Sequence, residues 1–297
     1  MTQTSDTTAC DTATYCYLTR LHSEVRLIAA HDPLLRGGSM GTKGRSKPPP
    51  GKIVTDELEK YSREHGADLF GVADLTLASE FIAAECPAWV GEFPSAVSVG
   101  MSVSDIVLEN HSPDEPRDKS LYFHHVYDVI TPALDFLAYD LTRLLARKGY
   151  KAFAVPGSSP WDHETIKGVL SHKLAAHLAG LGWIGKNCLL LTEAFGPRVR
   201  FVTVLTDAPL KAGAPLDRPC GKCHVCIDTC PVHAFTGIEF KPSQSRDMRF
   251  DAFKCMQFRR DHACGICVSS CPKGKLAARR RAKVRDKSVI LNEGECA

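Results

Sequence analysis

From Ile53 onward the chain carries two rhythms of apolar positions, and each rhythm points to a kind of element. Thr55 to Glu64 has helical spacing, whereas Asp68 to Ala73 (DLFGVA) and Ala96 to Val103 (AVSVGMSV) are short, turn-bounded runs that predict strands. Between His125 and Lys148, the residues Leu134, Leu137, Leu141, Leu144 and Leu145 recur every three or four positions, which predicts a helix with one buried face. Pro132 lacks an amide hydrogen and predicts either a kink or the true first turn, and Gly149 predicts the end. Tyr150 to Val155 and Arg198 to Asp207 (RVRFVTVLTD) predict two further strands. The sum is a mixed α+β core over residues 53–210.

Residues 1–52 show neither rhythm. Thr, Ser, Asp and Ala dominate the start, and Gly37 to Lys52 (GGSMGTKGRSKPPPGK) is built from Gly, Ser, Lys and Pro. Such a stretch buries too little apolar surface to offset its ordering entropy, which predicts a disordered tail and linker. Leu18 to Leu35 is the one part with the patterning of a short helix, and Met40 is an alternative start of translation.

Charge changes the picture at the other end. The net charge is +3, yet Lys273 to Lys287 holds eight Lys/Arg and one acid, so everything else sums to about −4. Residues 276–297 therefore predict a basic tail, either a solvated charge run or a contact for nucleic-acid phosphates. No apolar run follows a basic start, and no stretch approaches the roughly 18 apolar residues of a membrane span. Thirteen cysteines without a secretory signal predict metal ligation in the reducing cytoplasm, not a disulfide framework.

Eight of those cysteines have a spacing with chemical meaning. Cys220, Cys223, Cys226 and Cys230 precede Pro231 as C-x2-C-x2-C-x3-C-P; Cys264, Cys267 and Cys271 precede Pro272 and repeat its second half, and Cys255 completes the set. This is the run of bacterial two-cluster ferredoxins, in which one loop wraps three corners of a cubane and the fourth cysteine reaches the neighbouring cluster. The spacing assigns one [4Fe–4S] cluster to Cys220, Cys223, Cys226 and Cys271, and the other to Cys255, Cys264, Cys267 and Cys230, within a ferredoxin-like domain over 211–275. Zinc is the competing reading, but it usually takes two separated C-x2-C pairs. Cys10, Cys16, Cys86, Cys188 and Cys296 lack metal-site spacing and read as free thiols, with Cys188 a small buried hydrophobe.

Between core and clusters, Ile166, Val169, Leu170, Leu174 and Leu178 fall on one arc of a helix that also contains Lys173 and His177. A charged lysine on an apolar face calls for a partner or a ligand, unless it snorkels, and His177 reads as a satisfied core histidine. Gly182, Trp183, Ile184, Gly185, Lys186 and Asn187 then form a glycine-flanked loop, in which glycines let backbone approach a planar cofactor and Trp183 offers a flat wall.

GLGWIGK, the strand ending TDAPL, the first cysteine run and the FDAFKC lead to the second together resemble the epoxyqueuosine reductase family, which is related to the corrinoid-dependent reductive dehalogenases. The resemblance covers residues 53–275 and is strongest from Ser171 to Pro272. It implies a nitroreductase-like α/β core that holds base-off cobalamin against Gly182 to Asn187, with Lys173 nearby and electrons supplied through the clusters by a flavodoxin or ferredoxin. The substrate it implies is a small molecule or a modified base. Counted without gaps from GLGWIGK, the family's proton-donating aspartate falls on Ile166, so Asp162, His163 and Glu164 become the candidate donors. The helical-repeat domain that the family uses on tRNA has no counterpart after the clusters, which argues against a tRNA substrate. Two functions follow: a cobalamin-dependent iron–sulfur reductase, or a ferredoxin-like carrier that serves a partner enzyme. A carrier has little use for the roughly 170 globular residues before the clusters, which favours the enzyme.

Overall fold

The computed structural model describes residues 52–158, 162–242 and 244–293, with side chains from Val54 to Val284. These belong to the unit Ser46–Ala297; the other unit, Met1–Arg45, lies outside the described residues, as do Cys10, Cys16, Cys296, Met40 and the helix expected over Leu18–Leu35.

In chain order the main elements are α1 (Lys52–Glu64), β1 (Leu69–Asp74), β2 (Ser95–Ser102), α2 (Thr131–Arg147), β3 (Ala152–Val155), α3 (His172–Leu178), β4 (Trp183–Ile184), β5 (Leu190–Leu191) and β6 (Val199–Thr206). After them come α4 (Val225–Asp228), α5 (Ala252–Asp261), α6 (Ile266–Ser269) and α7 (Pro272–Glu293). The mixed helix and strand composition matches the α+β expectation. The strands at the centre lie in the order β1-β2-β6-β3, and every neighbouring pair is antiparallel.

Alternation along the strands sorts the two faces. Val72, Val97 and Val204 lie in register, and with Val99 and Val202 they pack under α1 and α2 against Leu58, Leu134, Leu137 and Leu141. The next residues, Ala73, Ala96 and Leu205, face the other way, onto Leu174, Ala175 and Leu178 of α3. That second face is lined by small side chains, and a Cβ on Gly71 would come within 2.9 Å of Leu181. Smallness there lets α3 sit close against the sheet, and this fixes the segment that α3 leads into.

Pro132 is accommodated without a break. A helical run begins at Leu121 and turns π-helical over His124–Ile130, with the Thr131 N–H bonded to the Val126 carbonyl, before α2 resumes. The wider turn absorbs the amide that proline cannot supply. Gly149, at φ 87°, follows the helix as expected.

Two expectations are corrected. The helix predicted from Ile166 starts at His172, because Asp162 accepts from the amides of Glu164 and Thr165 and turns the chain into a loop closed by Asp162–Lys167 backbone bonds of 2.9 and 3.1 Å. Ile166 then lies in the left-handed region at φ 55°, a position disfavoured for a β-branched residue, held by Arg246 donating to its carbonyl at 2.7 Å. The basic tail is also not simply solvated. It forms α7, with Ala277 and Ala278 buried and Arg281 paired to Asp105 at 2.6 Å. Asp105 also holds the fully buried Arg198 at 2.6 Å, so one carboxylate joins β6, the Asp105–Glu109 helix and α7.

Removing that carboxylate leaves the buried Arg198 guanidinium with only Glu109, at 4.0 Å. Asp105→Ala is expected to cost about 3 kcal/mol, measured by chemical denaturation; a loss within a few tenths of a kcal/mol of zero would contradict the role given to Asp105.

Candidate metal centre

The eight cysteines fall into two neighbourhoods. Cys226 has Cys271, Cys220 and Cys223 close enough to repel its thiolate, while Cys255 has Cys264 and Cys230, and Cys264 has Cys230. Cys267 touches both groups electrostatically, with Cys264, Cys255, Cys226 and Cys230 around it. Burial first, and this mutual repulsion second, push the Cys226 thiol up to about 12 and raise Cys267. Thiols of this kind shed their protons only to a metal, so metal loading releases protons and is pH-dependent. No three His, Cys, Asp or Glu side chains among the described residues converge on a point where one ion would sit. A cubane holds its thiolates at its corners, further apart than the ~2.3 Å arms of a zinc ion bring them.

Amide donors already point at several sulfurs. Ala234 N–H lies 3.4 Å from Cys230 Sγ, the amides of Lys273 and Gly274 serve Cys271, and Ile266 serves Cys264. Such bonds favour the charged form of sulfur.

Strands β4 and β5 pair as a hairpin, Trp183 with Leu191 and Ile184 with Leu190, and its loop is wedged between the two cysteine neighbourhoods. The Lys186 backbone N–H donates to Cys220 Sγ, and its ammonium donates to the carbonyl of Gly221 at 2.6 Å. Glu239 completes this corner, accepting from the amides of Cys220 and Gly221 and pairing with Lys186 at 3.7 Å. On the other side Asn187 Nδ2 donates to the Cys267 carbonyl at 3.2 Å, while Trp183 and Leu191 pack on Cys271.

The loop that was expected to lie against a corrin is thus also bound to both cysteine loops. Residues Gly182 to Asn187 are all buried. A Cβ on Gly182 would collide with the Leu191 carbonyl, and one on Gly185 would collide with the Leu191 side chain and sit 3.4 Å from Cys220 Sγ. The hairpin and the cysteine loop by themselves require glycine at both positions; Trp183 packs on Leu191 and Cys271, and Lys186 is bonded to the cysteine loop.

Beside the loop, His172 and Lys173 at the start of α3 are half-buried. Lys173 faces Cys188, Arg249, Arg246 and Cys267; burial, and then the two guanidiniums, hold its ammonium below the usual lysine range. Arg249 is buried, with its Nε unpartnered. His172 accepts from Thr203 at Nδ1 and donates from Nε2 to the Pro156 carbonyl at 3.0 Å, and burial lowers it to about 4.

His177 is the satisfied core histidine expected, 3.2 Å from the Gly182 carbonyl and edge-on to Phe240. Asp162 accepts from the Thr165 hydroxyl and from the amides of Thr165 and Glu164, which hold its carboxyl below the usual range. His163 and Glu164 are exposed on the same turn. Glu239, Arg246, Arg249 and Cys188 carried no spacing signal in the sequence; they meet only through tertiary contacts. A separate cavity of about 700 Å³, lined by Arg117, Lys119, Phe123, His124 and Arg260 among others, contains none of the expected site residues.

These features define an iron–sulfur protein with a ferredoxin-type two-cluster segment, and the family described as a 4Fe-4S dicluster domain matches residues 219–275. The chain is also similar to proteins named epoxyqueuosine reductase. It is 26% identical over 259 residues to one from Leadbetterella byssophila, covering 74% of this chain and 80% of that protein. Another, from Bacillus anthracis, is 32% identical over 125 residues, 36% of this chain and 30% of its own. A catabolic reductive dehalogenase solved with 3-bromo-4-hydroxybenzoic acid shares the fold, with a TM-score of 0.59 and 21% identity over 80% of this chain. The match spans about a third of that dehalogenase and of the Bacillus relative.

Gly185→Val should cost the protein about half of its iron, because the side chain displaces Cys220; full iron content by chemical analysis would contradict the packing described. His172 gives a pH signature. Its folded pKa lies below the unfolded value, so its neutral form contributes stability that is complete above about pH 6.5 and is lost as pH falls toward the folded value. Melting temperature should drop between about pH 7 and pH 5 in the parent, and His172→Gln should flatten the slope. Parallel profiles would contradict this assignment.

Proposed function

We propose that this chain is a cobalamin-dependent iron–sulfur reductase in which two [4Fe–4S] clusters feed electrons to a substrate held beside Lys173. The observation that carries the reading is the hairpin. One loop touches Cys220, Cys267 and Cys271, and it leads to Cys188, to which the buried Arg249 donates. The clusters supply one-electron transfer, with Cys220, Cys223, Cys226 and Cys271 as ligands of the first and Cys255, Cys264, Cys267 and Cys230 as ligands of the second. Cys223 is exposed, whereas Cys267 neighbours Lys173, so electrons enter at the first cluster and leave from the second. The donor is a flavodoxin or a ferredoxin, and the compartment is the reducing cytoplasm.

The relatives named epoxyqueuosine reductase, and the dehalogenase whose structure bears on B12-dependent dehalogenation, support a corrinoid here and a nitroreductase-like core. The residues present fit such a group in one respect: Lys173, half-buried and without a hydrogen bond or ion pair among the described residues, would offer a donor to its amide or phosphate oxygens. When bound, the corrin supplies low-potential cobalt chemistry. The protein positions the substrate, excludes water with the buried hairpin and delivers a proton. Asp162 is ill suited to that last task, since its hydrogen bonds favour the carboxylate. His163 and Glu164 stay as candidates, and the substrate is a reducible small molecule or modified base.

The carrier reading has one observation in its favour, the apolar Ile166 at the position where the resemblance places the proton-donating aspartate. Cobalamin titration separates the two. With both clusters in place, binding should convert its spectrum to the base-off form. An unchanged spectrum would overturn the reductase and leave the carrier.

A further inference from the structure

The helix that delivers Cys255 also delivers a cation to it. In α5, Arg259 follows Cys255 by four residues, so the two side chains are neighbours on one helix face. Asp251 starts that helix by accepting from the Lys254 amide at 3.0 Å, which fixes the register of both residues. The Arg259 guanidinium is half-buried and anchored at its tip. It donates to the Tyr127 hydroxyl at 2.5 Å and lies 5.3 Å from the centre of that ring. Tyr127 is held in turn, stacked on Phe123 at 4.6 Å and covered by Arg200 at 4.9 Å. The arginine is thereby fixed between this tyrosine and the second cysteine neighbourhood, where Cys255 and Cys267 pack against Cys230, Ala234 and Phe235.

What it lacks is a carboxylate. No acid among the described residues lies within 4.0 Å of Arg259. Asp251 is also near Cys255, but it is paired with Lys254 at 3.3 Å. Burial works against the guanidinium's charge, yet Tyr127, Cys255, Tyr122 and Cys267 together more than offset this and raise it. Cys264 lies within its reach as well, so the arginine acts on three of the four ligands assigned to the second cluster. Around the first cluster the charged neighbours are different. Glu239, itself paired with Lys186, stands at Cys220, and the exposed Lys273 stands at Cys271. Lys173 also approaches Cys267, but burial before all else holds its ammonium down, which leaves Arg259 as the permanent charge at the second cluster.

Reduction adds an electron to a cluster whose four thiolates already make it an anion, and a fixed cation beside it favours the reduced form. We infer that Arg259 is the counter-cation of the second cluster, raising that cluster's reduction potential while leaving the first cluster's as it is. An electron shared by the pair then resides on the second cluster more than it would without Arg259, at the end of the path proposed for its exit. The inference rests on the ligand assignment and is independent of cobalamin.

The test is an anaerobic redox titration of the reconstituted full-length protein, followed by electron paramagnetic resonance without cobalamin, in the parent, Arg259→Gln and Arg259→Lys. In the Gln variant one of the two reduction steps should weaken about tenfold in its equilibrium constant, about 59 mV for a one-electron couple, while the other stays. The Lys variant keeps the charge and should recover most of that shift. Cys255→Ala identifies the step: with the second cluster impaired, adding Arg259→Gln should leave the remaining potential unchanged. Two unmoved steps, two steps moved alike, a shift in the Cys255→Ala background, or a Lys variant that behaves like Gln would each overturn the inference. Should Arg259→Gln lose iron, iron kept by Arg259→Lys still supports the charge. Loss from both would overturn it in favour of a merely structural guanidinium.

Discussion

The structure depends on gathering eight cysteines, six of them where burial disfavours the charge of the thiolate. Burial and mutual repulsion raise Cys226 to about 12 and raise Cys220, Cys255, Cys264, Cys267 and Cys271 as well, so these positions gain their charged form only as metal arrives. The surrounding backbone is arranged for that form. The amides of Lys186, Ala234, Ile266, Lys273 and Gly274 aim at sulfur before any cluster is considered. Much of the chain serves to keep those amides in place.

The hairpin carries most of this duty, and the antiparallel sheet carries the hairpin. Small residues on one sheet face let α3 lie close, Gly180 at φ 77° turns the chain out of it, and β4 follows at once. Lys186 and Glu239 then bind one cysteine loop, while Asn187 binds the other. A displacement of α3 is thereby felt at both clusters. The Arg198–Asp105–Arg281 network acts similarly from the far end, anchoring the helix that follows Cys271 to the last strand of the sheet.

Some of this was legible in the sequence, for identifiable reasons. The cysteine spacing is local and strict, and the β-branched strands β2 and β6 announced themselves within a residue or so of their ends. The helix over Ile166–Leu178 was misplaced because an apolar wheel cannot register one aspartate capping two amides. The Leu191 and Cys220 contacts that demand glycine in the hairpin loop were not legible, because they are tertiary. Arg249 was invisible for the same reason: an orphaned charge is recognised only once all its neighbours are known.

The central claim is that two cubanes lie side by side with the hairpin between their ligands. Electron paramagnetic resonance of the fully reduced protein addresses it directly. Two adjacent [4Fe–4S]⁺ centres should give a broadened, spin-coupled spectrum that integrates to about two spins per chain. A single sharp signal of about one spin, or a silent protein holding stoichiometric zinc, would contradict the account.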